Sequence, residues 1–443
     1  ARVHLRLKFD WSLKTLRDVI ARIPGSAAPD EWVIRGNHHD AWVNGAEDPI
    51  SGQAPLLEEA RAYGELLKQG WKPRRTIIYA AWDGEEPALL GSTEWVEAHA
   101  DELAQNAVAY LNTDTNGRGY LGMAGSHSLQ RFINDVARDI EDPETRLSVW
   151  KRAELRAIAD APTPERRREI RGEPDLRIDA LGSGSDYSPF LQHLGIAALN
   201  LGYGGEDGGG IYHSIYDDFT WYTKFDDTSF VYGRALAQTV GTAVLRLADA
   251  DVLPFEFTSL AATVGRYAKE IEKLLQDEQA ETLERNRQLD EGLFAATADP
   301  RERSVAPPRQ DPPPYLDFAP LQNAVDALTR AADRYEQAFA RAQASGTAFA
   351  KPQTASLNAA LLAMERALLL SEGLPRRPWF RHAIYAPGFY TGYGVKTLPG
   401  VREAIEQRNW KEADAQIGLA AGAVSAEADA LDRVAAQVEQ LAP

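Results

Sequence analysis

Residues 32–40 read Trp-Val-Ile-Arg-Gly-Asn-His-His-Asp, a short apolar run that ends in two histidines and a carboxylate. The apolar part, Trp32–Arg35, is typical of a buried strand. Similar runs lie at Thr76–Trp82, Val108–Asn112 and Ala197–Leu201. Amphipathic segments alternate with them, at Leu56–Lys68, Thr93–Leu103, Leu129–Ile140 and Phe230–Ala248. Strands that alternate with helices predict an α/β fold, with a doubly wound and mostly parallel sheet covered on both faces.

The composition of the chain changes after Leu253-Pro254. Four later segments have helical periodicity and much Ala, Leu and Glu: Phe257–Asp290, Leu321–Ala344, Ala355–Leu370 and Trp410–Leu441. A proline-rich linker, Ala306–Pro314, separates the first two. We therefore expect two domains, an α/β domain over residues 1–252 and a C-terminal helical bundle over residues 253–443.

Two further segments carry weaker expectations. Val3, Leu5, Leu7 and Phe9 alternate with basic residues, which predicts a strand at the start of the chain. A chain that begins inside a strand suggests that an earlier segment is absent. The charged stretch Lys151–Glu173 is interpreted as a solvated surface helix or insertion.

Bulk properties exclude several classes of function. The net charge of −17 argues against a nucleic-acid partner, because phosphate contacts need clustered Lys and Arg. The absence of cysteine excludes disulfides and thiolate zinc sites. No apolar run approaches the roughly 18 residues of a membrane span. A hydrophobic content of 44% and a charged content of 26% are those of a soluble globular protein.

Polar side chains follow three of the predicted strands. His38 comes after Trp32–Arg35, Glu85 and Glu86 after Thr76–Trp82, and Asp114 closely after Val108–Asn112. In open α/β sheets, sites form in the crevice at the carboxyl ends of the strands. We therefore expect these side chains to meet at one edge of the sheet.

Two imidazoles and three carboxylates are a suitable ligand set for two zinc ions that share one carboxylate. We assign His38 and Asp114 to one ion and Glu86 and His213 to the other, with Asp48 as the bridge. Each residue alone is a weak signal, and His99, His127, His193 and His382 are interpreted as ordinary surface or core residues. The weight lies in the combination.

Two carboxylates beside this set have supporting roles in the hypothesis. Asp40 would hold the His38 imidazole from behind. Glu85, next to Glu86, would act as the general base and then pass its proton to the leaving amine. The sequence therefore predicts a metal-dependent hydrolase.

The chain resembles the co-catalytic zinc exopeptidases related to glutamate carboxypeptidase and, more distantly, to the transferrin receptor. The resemblance covers nearly the whole chain. It is most specific in six stretches: Gly36–Pro49, Trp71–Trp95, Tyr110–Asp114, Leu181–Ile196, Tyr212–Ser214 and Leu374–Pro387. It implies the same ligands and base, a peptide substrate, and a homodimer formed through the helical domain.

Departures from the family pattern concern the substrate pocket. By the resemblance, Tyr212, Tyr393, Ser185 and Asn200 fall at substrate-binding positions. Asn200 and Gly202 stand where glutamate-specific members have arginines, Gly392 replaces a lysine, and Ser185 replaces an asparagine. A pocket without fixed cations has no reason to prefer an acidic side chain. We therefore expect neutral or apolar terminal residues in the substrate.

The resemblance also implies features that this chain lacks or only half supplies. Catalytic-domain sequence before this point and an inserted apical domain are missing, so a second chain would supply them. Glu94 and Glu97 match positions that bind a structural calcium ion in some relatives. The family habit of facing outward favours an extracellular, periplasmic or envelope location.

Three alternatives stay open from the sequence. The first is aminopeptidase rather than carboxypeptidase action at the same site, which Tyr212 and Tyr393 disfavour only slightly. The second is a receptor-like binding protein without catalysis. The third is a single-zinc cyclase of N-terminal glutamine, a class that shares this general fold.

Overall fold

The computed structural model describes residues 2–206, 209–345 and 351–441. Its centre is a six-stranded sheet with the spatial order β1-β3-β2-β4-β6-β5. The strands are β1 Val19–Ile23, β2 Ala28–His38, β3 Arg75–Trp82, β4 Ala107–Asn112, β5 Gly119–Gly125 and β6 Ala198–Gly205. The four inner strands are parallel, whereas β1 and β5 run antiparallel at the two edges. The sheet is mixed but mostly parallel, which confirms the predicted fold class.

Helices connect the strands and cover the sheet. They are α1 Ile50–Lys68, α2 Leu90–Ala98, α3 Ala100–Asn106, α4 Gln130–Asp139, α5 Val149–Asp160, α6 Pro164–Gly172, α7 Phe219–Phe225 and α8 Val231–Asp249. A 3-10 turn lies at His127–Leu129 and a π-helical turn at Pro189–His193. All residues of β3 are buried, as expected for a parallel strand covered on both faces.

The second half of the chain is helical, as predicted. It contains α9 Thr258–Asp290, α10 Leu293–Ala296, α11 Ala319–Ala344, α12 Lys351–Leu362, α13 Met364–Ala367, α14 Pro399–Glu406 and α15 Trp410–Leu441, with a short hairpin of β7 Tyr385–Pro387 and β8 Val395–Thr397. The long helices α11 and α15 pack along each other. Within the described ranges, no helix combines the length and the apolar content that crossing a membrane requires.

The predicted first strand is wrong. Val3, Leu5, Leu7 and Phe9 lie in a stretch without secondary structure, and each is at least 62% exposed. The alternation gives this stretch one apolar face, but a strand also needs a neighbouring strand to satisfy its backbone groups. The first strand of the sheet begins instead at Val19.

Two of the predicted helices are each divided into two helices in the structure. The predicted helix Thr93–Leu103 is divided at His99, whose Nδ1 lies 2.8 Å from the Trp95 carbonyl oxygen and whose ring stacks on Trp95. The predicted helix Ala355–Leu370 is divided into α12 and α13. The stretch Lys151–Glu173 forms most of α5 together with α6, and several of its side chains are exposed, as expected for a surface segment.

Buried hydrogen bonds join the helical half to the α/β half. The Arg366 guanidinium donates to the carbonyl oxygens of Leu103 and Ala107, at 3.1 and 2.9 Å. The Arg381 amide donates to the Gln192 carbonyl at 2.8 Å. The Arg366 bonds therefore fix α13 to the amino end of β4, and the Arg381 bond fixes the segment after α13 to the π-helical turn.

Helix α15 carries a buried acidic side chain, Glu427. Glu427 is fully buried, and neither of its carboxylate oxygens has a hydrogen-bond partner among the described residues. Burial, reinforced by the nearby Glu365 carboxylate, raises the pKa of Glu427 well above its ordinary value of 4.5. The folded protein therefore holds a proton on Glu427 that the unfolded chain releases above that pH.

We expect Glu427→Gln to stabilise the protein at neutral pH. With a raised folded pKa, the wild-type free energy of unfolding falls as the pH rises above about 4.5, and the variant does not share this loss. The difference in the free energy of unfolding should therefore grow between pH 4.5 and pH 7.5. Urea unfolding at pH 4.5 and 7.5 measures it. The exposed Asp429→Asn on the same helix is the control, and a pH-independent difference would contradict the expectation.

Candidate metal centre

The carboxyl ends of three neighbouring strands deliver most of the site. His38 is the last residue of β2, Glu85 and Glu86 follow β3 within four residues, and Asp114 lies two residues after β4. Because β2, β3 and β4 are parallel, these residues reach the same edge of the sheet.

Asp48 lies between the two histidines. Its Oδ1 is 3.2 Å from His38 Nε2, and its Oδ2 is 3.2 Å from His213 Nε2. Each carboxylate oxygen thus faces a different imidazole, which is the arrangement that a bridging ligand requires. Asp48 itself is 7% exposed, so this contact is sheltered from water.

The remaining carboxylates pair with the two histidines as predicted. Asp114 Oδ1 lies 3.2 Å from His38 Nε2, and Glu86 Oε2 lies 3.1 Å from His213 Nε2. Ligand atoms of His38, Asp48 and Glu86 all lie within 4.8 Å of one another. All five side chains therefore converge, although their role as ligands stays a prediction.

The charge and burial of this cluster fit divalent cations. Oδ1 of Asp48 is buried and accepts no hydrogen bond of good geometry. Burial and, after it, the adjacent Asp48 carboxylate together raise the pKa of Glu86 to about 7. Several carboxylates crowded in a low-dielectric site need positive charge nearby. Imidazole with carboxylate is a donor set that zinc accepts.

Asp40 joins the general-base segment to His38. Its Oδ1 accepts the Glu85 amide at 3.0 Å, and its Oδ2 accepts the Glu86 amide at 3.2 Å. The same Oδ1 is 3.4 Å from His38 Nδ1. Asp40 therefore orients both the imidazole and the turn that carries the two glutamates, a wider role than the sequence predicted.

Asp217 was missed by the sequence analysis. It is 4% exposed, and its two oxygens accept the backbone amides of Glu47 and Asp48, at 2.6 and 3.0 Å. These bonds tie the loop of Asp48 to the loop of His213. The only signal in the sequence was its position four residues after His213, in an Asp-Asp pair.

Helix α1, which follows Asp48, is locked onto β2. Arg35 and Glu59 are fully enclosed and form a two-pronged ion pair, with nitrogen–oxygen distances of 3.1 Å. A Cβ added at Gly52 would lie 2.2 Å from the Asp114 carbonyl oxygen. Glycine at this position therefore lets α1 approach the end of β4, which brings Asp48 close to Asp114.

Glu85 lies in the same crevice but outside the set of five. It is 8% exposed, and burial raises its pKa to about 9, with a further contribution from the Asp186 carboxylate. Asp186 is fully buried behind it and was missed by the sequence analysis. In the absence of cations, the local field therefore favours a proton on Glu85.

The four predicted substrate-binding residues line one cavity. Tyr212, Tyr393, Ser185 and Asn200 all border a space of about 610 Å³. Four of the five proposed ligands border it as well: Asp48, Glu86, Asp114 and His213. Asn112, another residue that sequence analysis missed, donates through Nδ2 to Ser185 Oγ at 2.8 Å and to Asn200 Oδ1 at 2.9 Å. Asn112 therefore fixes two walls of the cavity from β4.

The cavity walls carry no fixed cation. Within the described chain, the residues that border this space include no lysine and no arginine. His213 is the only histidine among them. Gly202 lies in an adjoining groove, and Gly392 does not border the cavity. The sequence implied that single cationic side chains are missing from the pocket, and among the described residues the whole cavity lining lacks lysine and arginine.

The predicted calcium site near Glu94 and Glu97 is not supported. Glu97 Oε1 instead accepts a hydrogen bond from the Trp379 indole at 2.6 Å. Both glutamates are exposed, and the described residues bring no third acidic group to them.

Three of the histidines that the sequence analysis set aside have other contacts. His127 is buried beside Tyr267, His382 is buried beside Glu365, and His193 stacks on Trp379.

Two protein-family models match this chain. The model of "Peptidase family M28" matches residues 18–244, and that of the "Transferrin receptor-like dimerisation domain" matches residues 316–432. The chain belongs to peptidase family M28. The boundary predicted near residue 252 falls between the two matches and stays a prediction.

Curated relatives are similar over most of this chain. A probable glutamate carboxypeptidase, LAMP1, of Arabidopsis thaliana is 36% identical over 88% of the chain and 49% of its own length. Aminopeptidase NAALADL1 of Rattus norvegicus is 30% identical over 95% of the chain and 53% of its own length. The chain thus spans about half the length of these relatives.

A solved structure, the aminopeptidase from Aneurinibacillus sp. strain AM-1, is 20% identical with a TM-score of 0.38, over 52% of this chain and 48% of its own.

The cluster geometry predicts two zinc ions per chain. After dialysis against a chelator, calorimetric titration with Zn²⁺ should show two sites, confirmed by elemental analysis. Asp48→Asn should weaken both sites at least about tenfold, because one carboxylate faces both histidines.

His39→Gln is the matched control for the metal titration. His39 is next to His38, but its Nε2 lies 3.2 Å from the Arg17 carbonyl rather than in the cluster. This variant should retain two ions. Uptake of a single ion by the wild-type protein would contradict the bridged arrangement.

Proposed function

We propose that this protein is a zinc-dependent exopeptidase that removes terminal residues from small peptides, with carboxypeptidase-type action and no strong preference for glutamate. The observation that supports this proposal most directly is the position of Asp48, with one oxygen on each histidine and Glu85 in the same crevice. Membership of family M28 supports the same class.

The residues of the chain would divide the reaction as follows. A pair of zinc ions, when bound, would polarise the substrate carbonyl and lower the pKa of water. Glu85 would accept a proton from the attacking water and deliver it to the leaving nitrogen. Asp40 would keep both the His38 ring and Glu85 oriented through its three contacts.

The two tyrosines at the cavity mouth support carboxypeptidase-type action. Tyr212 and Tyr393 both border the cavity, and the pKa of Tyr212 is raised by burial and by a hydrogen bond to Tyr393. The Tyr212 phenol therefore stays protonated at neutral pH, and a phenol O–H can donate to a terminal carboxylate. Ser185 and Asn200, fixed by Asn112, would add neutral polar contacts.

Aminopeptidase action at the same centre is the second candidate. Several similar proteins bear aminopeptidase names, including the NAALADL1 proteins of Rattus norvegicus and Mus musculus. Four carboxylates border the cavity and could hold a substrate ammonium group: Asp48, Glu85, Glu86 and Asp114. A purely receptor-like role is disfavoured because all five proposed ligands and Glu85 converge.

We further propose a homodimer formed through the helical half, which the match to the dimerisation domain supports. A second chain that supplies the apical part, and an extracellular, periplasmic or envelope location, are proposals from the family resemblance. Sedimentation equilibrium, intact-mass spectrometry of native material and cell fractionation test these three proposals in turn. A monomer would contradict the homodimer, and a single chain without a partner would contradict the second chain. Recovery in the cytosolic fraction would contradict the proposed location.

Glu85→Gln should separate metal binding from catalysis. Because Glu85 lies beside the ligand set and would transfer the proton, the variant should bind the same two zinc ions while kcat falls by roughly 10²–10⁴-fold. Dipeptide hydrolysis and elemental analysis are measured on one preparation. Glu94→Gln, on the exposed face of α2, is the control and should keep its activity. Full activity of Glu85→Gln would remove the proposed base.

The lining predicts a preference for neutral residues. Because the cavity lining contains no lysine or arginine among the described residues, kcat/KM for Ala-Leu should exceed that for Ala-Glu by at least about tenfold. Blocking one end of the substrate at a time then assigns the polarity. N-acetylated Ala-Leu should remain a substrate and the C-terminal amide should not, whereas the reverse pattern would favour the aminopeptidase. A strong preference for Ala-Glu would contradict the proposed specificity.

A further inference from the structure

One wall of the catalytic cavity comes from the helical half of the chain. Trp379 and Phe380 lie after α13, far from the metal-binding loops in sequence, yet both border the same space as Glu85 and Asp114. Their rings are in a T-shaped contact, with centroids 5.0 Å apart, and both side chains are half-buried. The α/β half therefore does not complete this cavity alone.

Three contacts, made with Glu97 and His193, fix the position of Trp379. Its indole Nε1 donates to Glu97 Oε1 at 2.6 Å. Its ring stacks on His193, with centroids 4.7 Å apart and planes 14° from parallel. Its carbonyl oxygen lies 2.8 Å from Nδ1 of the same histidine. A side chain held by a hydrogen bond, a ring stack and a backbone contact presents a defined surface to the cavity.

The turn between the proposed base and α2 adds to this wall. The amides of Ala88 and Leu89 donate to the Glu85 carbonyl at 3.0 and 2.6 Å, so Leu89 lies one tight turn from the base. Ala88, Leu89 and Thr93 border the cavity with the two aromatic rings. Thr93 is four residues before Glu97, which places both on the same side of α2. Apolar surface therefore adjoins the reacting centre.

We propose that Trp379, together with Phe380 and Leu89, forms a subsite for a large apolar or aromatic side chain of the substrate's terminal residue. Glu97 is a positioning residue that acts through the Trp379 indole. This inference rests on the proposed exopeptidase function and deepens it, because it names the substrate side chains and the residues that select them. It also gives Glu97 a role that does not involve a metal ion.

Trp379→Ala tests the subsite through a ratio of substrates. Removing the ring should lower kcat/KM for Ala-Phe and Ala-Leu, and for Phe-Ala and Leu-Ala if the polarity is reversed, by about 10- to 100-fold. The loss for Ala-Ala should be less than about threefold, since its methyl group cannot reach the ring. Trp379→Phe should retain most of the discrimination. An equal loss for all of these substrates, or no loss, would overturn the proposal.

Glu97 variants separate positioning from a merely structural role. Glu97→Gln keeps an oxygen that can accept the indole N–H and should behave like the wild type. Glu97→Ala should raise KM for Ala-Phe by about 3- to 10-fold with kcat nearly unchanged, because binding rather than chemistry is affected. Equal behaviour of the two variants, or a loss in kcat alone, would count against the positioning role.

A fluorescence titration tests the subsite without catalysis. Free L-phenylalanine should change the tryptophan emission of the wild-type protein in a saturable way, and L-glutamate should not. Trp379→Phe should abolish the change, whereas Trp410→Phe, a half-buried tryptophan in α15 outside the cavity, should keep it.

This titration also distinguishes the two possible failures. If the wild-type protein cleaves none of the dipeptides, the exopeptidase function fails, and the titration alone decides the subsite. A saturable signal that depends on Trp379 then supports it, and the absence of that signal overturns it.

Discussion

The Asp48 carboxylate, with one oxygen toward His38 and the other toward His213, is the contact on which the site depends. Three carboxylates and two imidazoles would not remain together in a buried crevice by their own attraction, because the negative charges repel and each loses hydration. Backbone and side-chain contacts in the rest of the fold hold these groups together against that repulsion. Burial and, after it, the neighbouring carboxylates raise the pKa values of Glu85 and Glu86, and divalent cations would offset both effects.

The constraint is supplied by backbone as much as by side chains. The parallel strands β2, β3 and β4 bring their ends to one edge, and Asp217 and Asp40 use their oxygens to hold backbone amides of the two ligand-bearing loops. The enclosed Arg35–Glu59 pair then fixes α1 to β2. Removing one member of that pair would leave an uncompensated buried charge, so the site and the core are coupled in stability.

The helical half is part of the catalytic cavity as well as a candidate dimer surface. Tyr393, Trp379 and Phe380 all border the cavity, and the segment that carries them is anchored by Arg366 and Arg381 to the α/β half. On the proposed function, residues outside the α/β half would therefore contribute to the choice of substrate.

The sequence by itself determined the alternation of strand and helix, the helical second half and the ligand candidates, because these depend on local periodicity and on residue chemistry next to strand ends. It gave a wrong strand at Val3–Phe9, since pairing depends on a neighbour that periodicity cannot reveal. Only the tertiary structure decided that Asp217, Asn112 and Asp186 serve the site, and that Trp379 closes the cavity from the other half. Those contacts join residues far apart in the chain, and their side chains are ordinary in their local sequence context.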